Sequence, residues 1–293
     1  MTNSKITLGE VITALPNIYA TCYRGTAIFE LLEKLNRHIT RESGFARNEG
    51  EDLGPFGEIN LPLVSMGAIS SLDLFGLDEL VLFSIYNQLR KRYKRFADLG
   101  ANIGLHTILG ARLGWETSAY EPDPDTFAQM SSNAALNGAT ISASQCAVGA
   151  RDETRSFTRV NGNRTGSHLS GSKPDPYGEL EHFSVEVKSF VEILNGHDFL
   201  KIDVEGAEAE LFCSSSAADW ARSEAVMEIG SANSAREISS HLTKSPGINT
   251  FAQKIGWRKV TSASDLPTFH REGSVFISSE LRPPFLLPIP FKG

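Results

Sequence analysis

The sequence predicts an α/β protein built on a mostly parallel sheet with helices on both faces. Three observations carry this. From Phe96 onward, strand-like and helix-like segments alternate, as they do in βαβ units. Some of the strand-like runs, 96–99 and 199–203 among them, read as buried and open into glycine-rich or acidic loops. The chain of 293 residues is 41% hydrophobic and 22% charged, which suits a globular protein with a substantial core.

Taken in order, residues 7–43 have a helical pattern, with Ile28, Leu31, Leu32 and Leu35 spaced as one apolar face. Residues 44–71 are rich in Gly, Pro and Asn, and 58–62 suggest a short extended segment or hairpin. Asp78 opens an apolar helix through Leu80, Leu82, Phe83, Tyr86 and Leu89. A strand at 96–99 leads into a glycine loop, and a helix follows from about Gly104. Residues 117–120 form a second strand. Phe127, Met130 and Ala134 face the core from the next helix, which Gly138 caps. Residues 141–148 form a third strand. A polar stretch at 151–181 is too long for an ordinary connection and is read as a lid or substrate loop. Strands are expected at 183–187, 199–203, 225–229, 257–260 and 274–278. The division is a helical and hairpin appendage at 1–75 and a cofactor-binding domain at 76–293.

Lys plus Arg number 28 against 35 Asp plus Glu, a net charge of −7. That balance disfavours nucleic acid or an anionic membrane as the main partner, since both are bound by clustered cations. The hexamer Arg90-Lys-Arg-Tyr-Lys-Arg95 falls at a helix C-terminus, where cations complement the dipole. No apolar run approaches the roughly 20 residues of a membrane span, and Met1-Thr-Asn-Ser-Lys5 lacks a secretory pattern. The expectation is a cytoplasmic protein. Cys22, Cys146 and Cys213 are too few and too scattered for a disulfide framework or a zinc site. The apolar, proline-broken segment 281–291 is expected to pack on its own domain or on a partner subunit.

Ligands of such sheets bind at the carboxyl ends of the strands, so the loops there should hold the chemistry. The first reads Asp98-Leu-Gly100-Ala-Asn102-Ile-Gly104-Leu-His106-Thr107. Gly100 and Gly104 permit a tight turn against a helix N-terminus whose free N–H groups favour an anion. A dinucleotide site would want glycine at 102 and a small residue at 105, where Asn102 and Leu105 stand. Asp98 repels a pyrophosphate but suits a zwitterion, with its ammonium on the acid and its carboxylate on the N–H groups. The amino-acid end of S-adenosylmethionine is such a group. Glu121 ends the second strand 23 residues after Asp98, where an acid can accept two ribose hydroxyls. The third strand passes Gln145-Cys146-Ala147-Val148 beside the adenine.

These motifs resemble the FkbM-type S-adenosylmethionine-dependent methyltransferases. The resemblance is carried by Asp98 to Thr107, by Tyr120-Glu-Pro-Asp123 and Cys146-Ala-Val-Gly149, and above all by Leu200-Lys-Ile-Asp-Val-Glu-Gly-Ala-Glu208. It covers residues 96–277 and explains the first 75 poorly. It implies a class I, Rossmann-like methyltransferase fold, with a seven-stranded sheet whose last strand is antiparallel. It also implies O-methylation of sugars or secondary metabolites. The cofactor contacts it implies are Asp98, Gly100, Ala101, Asn102, Gly104, Glu121, Pro122, Asp123, Cys146, Ala147 and Asp203.

A methyl transfer to an alcohol also needs somewhere for the hydroxyl proton to go. Asp203 and Glu228 stand at strand ends facing the same mouth, Glu205 lies at the start of the helix after Asp203, and His168 lies in the polar stretch, so these four are the catalytic candidates. His106 reads as a structural residue of the glycine loop. Glu208, at a helix start, is also suited to capping. Clustered acids can hold a divalent cation, but no metal site is expected. Asn161, Asn163, Arg164, Thr165 and Ser167 offer hydrogen bonds to a hydroxyl-rich acceptor. The expected partner is thus a saccharide or small polar metabolite. The first 75 residues would shape its pocket or a homodimer contact. Two rivals remain at this level: a nicotinamide-dependent oxidoreductase and a non-catalytic module on the same fold.

Overall fold

The computed structural model describes residues 6–67, 69–163, 166–173 and 178–285. Two helices open it, α1 (Leu8–Ala14) under a Thr7–Glu10 capping box and α2 (Ala27–Arg41) capped by Thr26. The α2 stripe is not the one the spacing suggests: Phe29, Asn36, Ile39 and Thr40 are buried, whereas Leu31 is 67% exposed. Burial of polar Asn36 is compensated by its amide, which donates to the Phe75 carbonyl at 2.7 Å. A two-rung hairpin, β1 (Glu51–Asp52) with β2 (Glu58–Ile59), follows. Helix α3 (Leu77–Leu89) is buried nearly all round.

The main sheet then begins. Its early members are β3 (Arg95–Leu99), α4 (Leu105–Arg112), β4 (Glu116–Tyr120), α5 (Pro124–Leu136) and β5 (Ile141–Ser144). The expected third strand stops there. Cys146 breaks it from β6 (Ala147–Gly149), which pairs in a different sheet. The polar stretch is a loop only in part. Its two ends form β7 (Glu153–Val160) and the start of β9 (Leu180–Ser189), eight antiparallel pairs long, with short β8 (His168–Leu169) at the edge. The reason is legible afterwards. A solvated face of Thr, Arg, Ser and Glu alternates with Phe157, Val185 and Val187, and composition conceals that period of two.

The chain returns to the main sheet through α6 (Phe190–Gly196), β10 (Phe199–Ile202), α7 (Glu208–Ser214), β11 (Glu224–Glu228) and α8 (Ala232–Lys244). It closes with β12 (Asn249–Ala252), β13 (Arg258–Lys259) and β14 (Ser274–Ser278). The order is β13-β12-β14-β11-β10-β3-β4-β5. The five strands from β11 to β5 are mutually parallel, and β14 runs antiparallel to β11 and β12. The two-residue edge strand β13 makes eight strands where seven were expected. Strand order reverses between β3 and β10, so the ligand crevice belongs at their carboxyl ends.

One core lies on each face of the sheet. Leu8, Ile12, Phe29 and Phe45 join Phe83, Phe96 and Phe199 in the first, so residues 8–75 share the sheet's own core. Helices α6, α7 and α8 cover the other face through Phe190, Leu194, Phe212 and Ile238. The basic hexamer is anchored at two places: Arg92 pairs with Glu280 at 2.7 Å and Arg95 with Asp198 at 2.8 Å. Near the end, Phe285 stacks on Tyr19 at 4.6 Å; the rest of the expected apolar tail lies outside the described residues.

Candidate active site

Asp98 is the penultimate residue of β3, and its cross-strand neighbour in β10 is Lys201. Both are buried, a costly arrangement for charges unless they are paired. Thr107 at the start of α4 donates to Asp98 Oδ2 at 2.6 Å, and Lys201 Nζ lies 3.8 Å from Oδ1. The lysine also donates to Asp203 Oδ2 at 3.2 Å and to the Gly100 carbonyl at 3.3 Å. Burial works against its charge, but Asp203 and Asp98 outweigh that and hold the ammonium more firmly protonated than an ordinary lysine. Lys201 thus ties the ends of β3 and β10 together. Within the apolar run of β10 it was a visible anomaly that sequence reasoning left without a role.

The glycine loop turns against Glu121. Its carboxylate is buried and accepts the N–H of Asn102 and of Asp123, both at 2.9 Å. Burial pushes Glu121 up to about 8 in spite of these two bonds. Asn102 itself has φ of 50°, and among the described residues its Oδ1 and the Oδ1 of Asp98 are buried without a hydrogen-bond partner.

Asp123 caps α5, accepting from the N–H groups of Asp125 and Thr126. It also pairs with Arg159 of β7 at 2.6 Å, which docks the small sheet beside the Glu121 loop. Two further cations make such bridges: Arg155 to Glu210 of α7 at 2.9 Å, and Lys173 to Glu205.

Between these elements lies a cleft lined by Gly100, Asn102, Glu121, Pro122, Asp123, Cys146, Ala147 and Asp203 from the expected set. Asp98, Ala101 and Gly104 do not reach its wall: Asp98 and Ala101 are buried behind it, and Gly104 caps α4 against Met130. The cleft also has Tyr120, Phe157, Ser167 and Leu169 as lining, none of them expected as cofactor contacts. Burial raises the Cys146 thiol to about 11, so it lines the cleft as an apolar, unionised group.

His168 is not part of this wall. Strand alternation sends Ser167 and Leu169 to the cleft and turns His168 to the opposite face, where its Nδ1 meets the Gly166 carbonyl at 2.8 Å. Asn161 and Asn163 lie at the far end of β7, and Arg164 and Thr165 fall outside the described residues.

The loop after β10 opens the second half of the site. Glu205 has φ of 54° and Gly206 of 106°, and Glu208 accepts the N–H groups of Gly206 and Val204 at 3.0 and 3.2 Å. Glu208 therefore caps this turn. Glu205 stands at the mouth, where burial and the charge of Asp203 push it up to about 7 against the pull of Lys173. Glu228 ends β11 beside it. Burial, with the like charges of Asp203, Glu205 and Glu79, holds Glu228 well above the ordinary carboxylate range.

Glu79 is the residue no sequence signal announced, because it arrives from α3. The adjacent Asp78 pins that helix through Arg24 at 2.7 Å and Gln253 at 3.0 Å. Glu79 Oε2 meets His106 Nε2 at 3.1 Å, and His106 Nδ1 meets the buried Tyr86 hydroxyl at 2.8 Å. His106 is thus structural, as expected. Among the described residues no group of three or more His, Cys, Asp or Glu side chains is placed to hold a metal ion. Nor is any helix long and apolar enough to cross a membrane.

A model of the methyltransferase FkbM domain matches residues 98–250, from the glycine loop to β12. No curated protein matches the chain. Solved structures resemble it distantly. The O-methyltransferase TomG from Streptomyces achromogenes, in complex with S-adenosylmethionine, is 10% identical over 67% of this chain and 77% of its own, with a TM-score of 0.38. The Podospora anserina methyltransferase PaMTH1, bound to S-adenosylhomocysteine, is 11% identical over 68% and 78%, with a TM-score of 0.37. The ribosomal protein L11 methylase from Lactobacillus delbrueckii subsp. bulgaricus is 14% identical over 69% and 79%, with a TM-score of 0.35.

Proposed function

The chain belongs to the FkbM family of S-adenosylmethionine-dependent methyltransferases, and on that premise we propose that it methylates a hydroxyl of a saccharide or similarly small polar metabolite. Membership disposes of the hydride-transfer rival. It leaves open the acceptor and the residues that serve it.

The cleft residues fit the cofactor. Asn102 Oδ1 on the wall and Asp98 Oδ1 behind it, buried acceptors without a hydrogen-bond partner among the described residues, suit the ammonium of its amino-acid end. Glu121 has lone pairs beyond the two used by backbone N–H groups and is suited to ribose hydroxyls. Cys146, Ala147 and Phe157 give an apolar wall for adenine. Bound there, S-adenosylmethionine supplies an electrophilic sulfonium methyl.

The observation that carries the O-methylation reading is the division of labour among the three mouth acids. Asp203 is engaged by Lys201 and Glu205 by Lys173, so both are neutralised by a neighbour. Among the described residues no cation pairs with Glu228, and burial beside like charges raises its proton affinity well above that of an ordinary carboxyl. A carboxylate of high basicity is what an alcohol requires, since its O–H proton must leave as the C–O bond forms; an amine needs only to arrive neutral. Glu228 accepts that proton, and Asp203, held by Lys201, borders the reacting methyl. Positioning supplies the rest of the rate.

The test is labelled methyl transfer from S-adenosylmethionine to a panel of pyranosides, phenols and amines. Transfer to hydroxylated acceptors, lost in Glu228→Gln while S-adenosylhomocysteine still binds, supports the reading. Transfer to amines with Glu228→Gln fully active would refute it.

A further inference from the structure

Strand β14 runs antiparallel to β11, and its first residue, Ser274, pairs with Glu228. The turn that precedes β14 therefore stands over the same mouth as Glu228. That turn is rigidly built. Glu272 accepts the N–H and the hydroxyl of Thr268 at 2.7 and 2.9 Å and pairs with Lys254 at 3.0 Å. Gly273 presses on Gln253, whose Oε1 accepts the Ser274 N–H at 3.1 Å. On this fixed turn Phe269 is 45% exposed, its ring meeting His270 edge-on at 6.4 Å. Lys173, Asp203 and Arg24 all lie within electrostatic reach of the His270 imidazole.

A single exposed phenylalanine is ordinary. Its placement here is less so: an apolar ring held on a hydrogen-bonded turn, next to an imidazole, at the rim of a mouth floored by carboxylates. We infer that Phe269 and His270 form the acceptor-facing wall of the site, a platform on which one face of a pyranose ring packs while its hydroxyl reaches Glu228. This rests on the saccharide reading above and narrows it to a cyclic sugar presented by one face.

The chemistry separates this occupant from others. The negative face of an aromatic ring attracts the weakly positive C–H groups of a sugar and also attracts cations. A cationic acceptor would meet Arg271 directly beside His270, with the charges of Lys173 and Arg24 also felt at the imidazole. A neutral polyhydroxylated ring meets no such penalty. The His270 imidazole can bond its remaining hydroxyls.

Phe269→Ala and Phe269→Trp test this, with methyl glucoside, galactoside and rhamnoside as probes and simple phenols and amines as controls. Both variants should bind S-adenosylhomocysteine like the wild type by calorimetry, since residue 269 is not in the cofactor cleft. Phe269→Ala should raise KM for a pyranoside at least tenfold, with the loss in KM rather than kcat. Phe269→Trp should restore it. In the S-adenosylhomocysteine complex, the emission of Phe269→Trp, measured against the wild type, should shift when a pyranoside is added. Pyranoside transfer with KM unchanged in Phe269→Ala would overturn the wall and leave the O-methylation reading standing. No emission shift with any pyranoside would overturn it as well. Transfer only to amines would overturn both.

Discussion

Gly100 and Asp203 meet so closely that a Cβ on residue 100 would stand 1.8 Å from the Asp203 carbonyl oxygen. The obstacle is backbone, so no rotamer relieves it, and φ of 75° adds strain for any other residue. Gly100→Ala should separate the ends of β3 and β10 and with them the Lys201 bridge. The conformational part alone costs roughly 1–2 kcal/mol. A lowered melting temperature and loss of S-adenosylhomocysteine binding are expected, by scanning and titration calorimetry. Wild-type affinity in this variant would contradict the junction described.

Asp98 and Asp203 share one lysine but differ in exposure, fully buried against 30% exposed. Asp98→Ala should weaken cofactor binding by about two orders of magnitude, since a charge-assisted contact of roughly 1.5–3 kcal/mol is lost. Asp203→Ala should spare binding and lower turnover. Equilibrium binding beside single-turnover rates separates the two effects, and equal losses in both variants would merge the roles.

The Asp123–Arg159 pair fastens the β7–β9 hairpin to the loop that carries Glu121. Its side chains are only 6% and 18% exposed, so its removal should cost about 2 kcal/mol, between the exposed and the buried limits. Arg159→Ala should speed amide hydrogen exchange in β7 and β9 while leaving β3 and β10 protected. Uniform protection across both sheets would show that the other bridges suffice.

Glu228, Glu205 and Glu121 all hold protons more tightly than an ordinary carboxyl, because burial disfavours their charged forms. Two consequences follow, of opposite sense. A base must be ionised, so methyl transfer should fall as pH drops through the raised titration range of Glu228, and any residual rate in Glu228→Gln should lack that limb. Stability runs the other way. A folded-state pKa above the unfolded value favours folding below the unfolded value of about 4.5, and that advantage is lost as pH rises through 7 to 8. The cofactor-free protein should therefore melt higher at pH 6 than at pH 8.5. Asp123 and Asp198 are held below the ordinary range and do not titrate in this window. A flat melting profile in the wild type would contradict the burial of these acids.

Much of this was legible in the chain because its information is local. Buried strands announce themselves by apolar runs, and the glycine loop and the 200–208 segment by residues whose spacing a tight turn requires. Asp98, Glu121 and Asp203 could be named as candidates because strand ends face the crevice in such sheets, and the structure puts Glu121 and Asp203 on the cleft wall and Asp98 behind it. The hairpin in 151–181 was misread because its polar face dominates the composition, although the alternation around Phe157 was available. His168 was a candidate for lack of knowledge of its strand parity, which Ser167 and Leu169 settle in favour of the other face.

By itself, then, the sequence determined the βαβ order, the glycine and acidic loops and the acids at the strand ends, since each follows from neighbours within about ten residues. Only the tertiary structure decided which distant groups share the mouth. Glu79 comes from α3, Lys173 from the connection between β8 and β9 and Phe269 from the turn before β14, and no periodicity links them. Their meeting is fixed by strand order and by the burial of residues 8–75 in the sheet's own core. That is a property of packing, and packing is written in contacts between residues far apart in the chain.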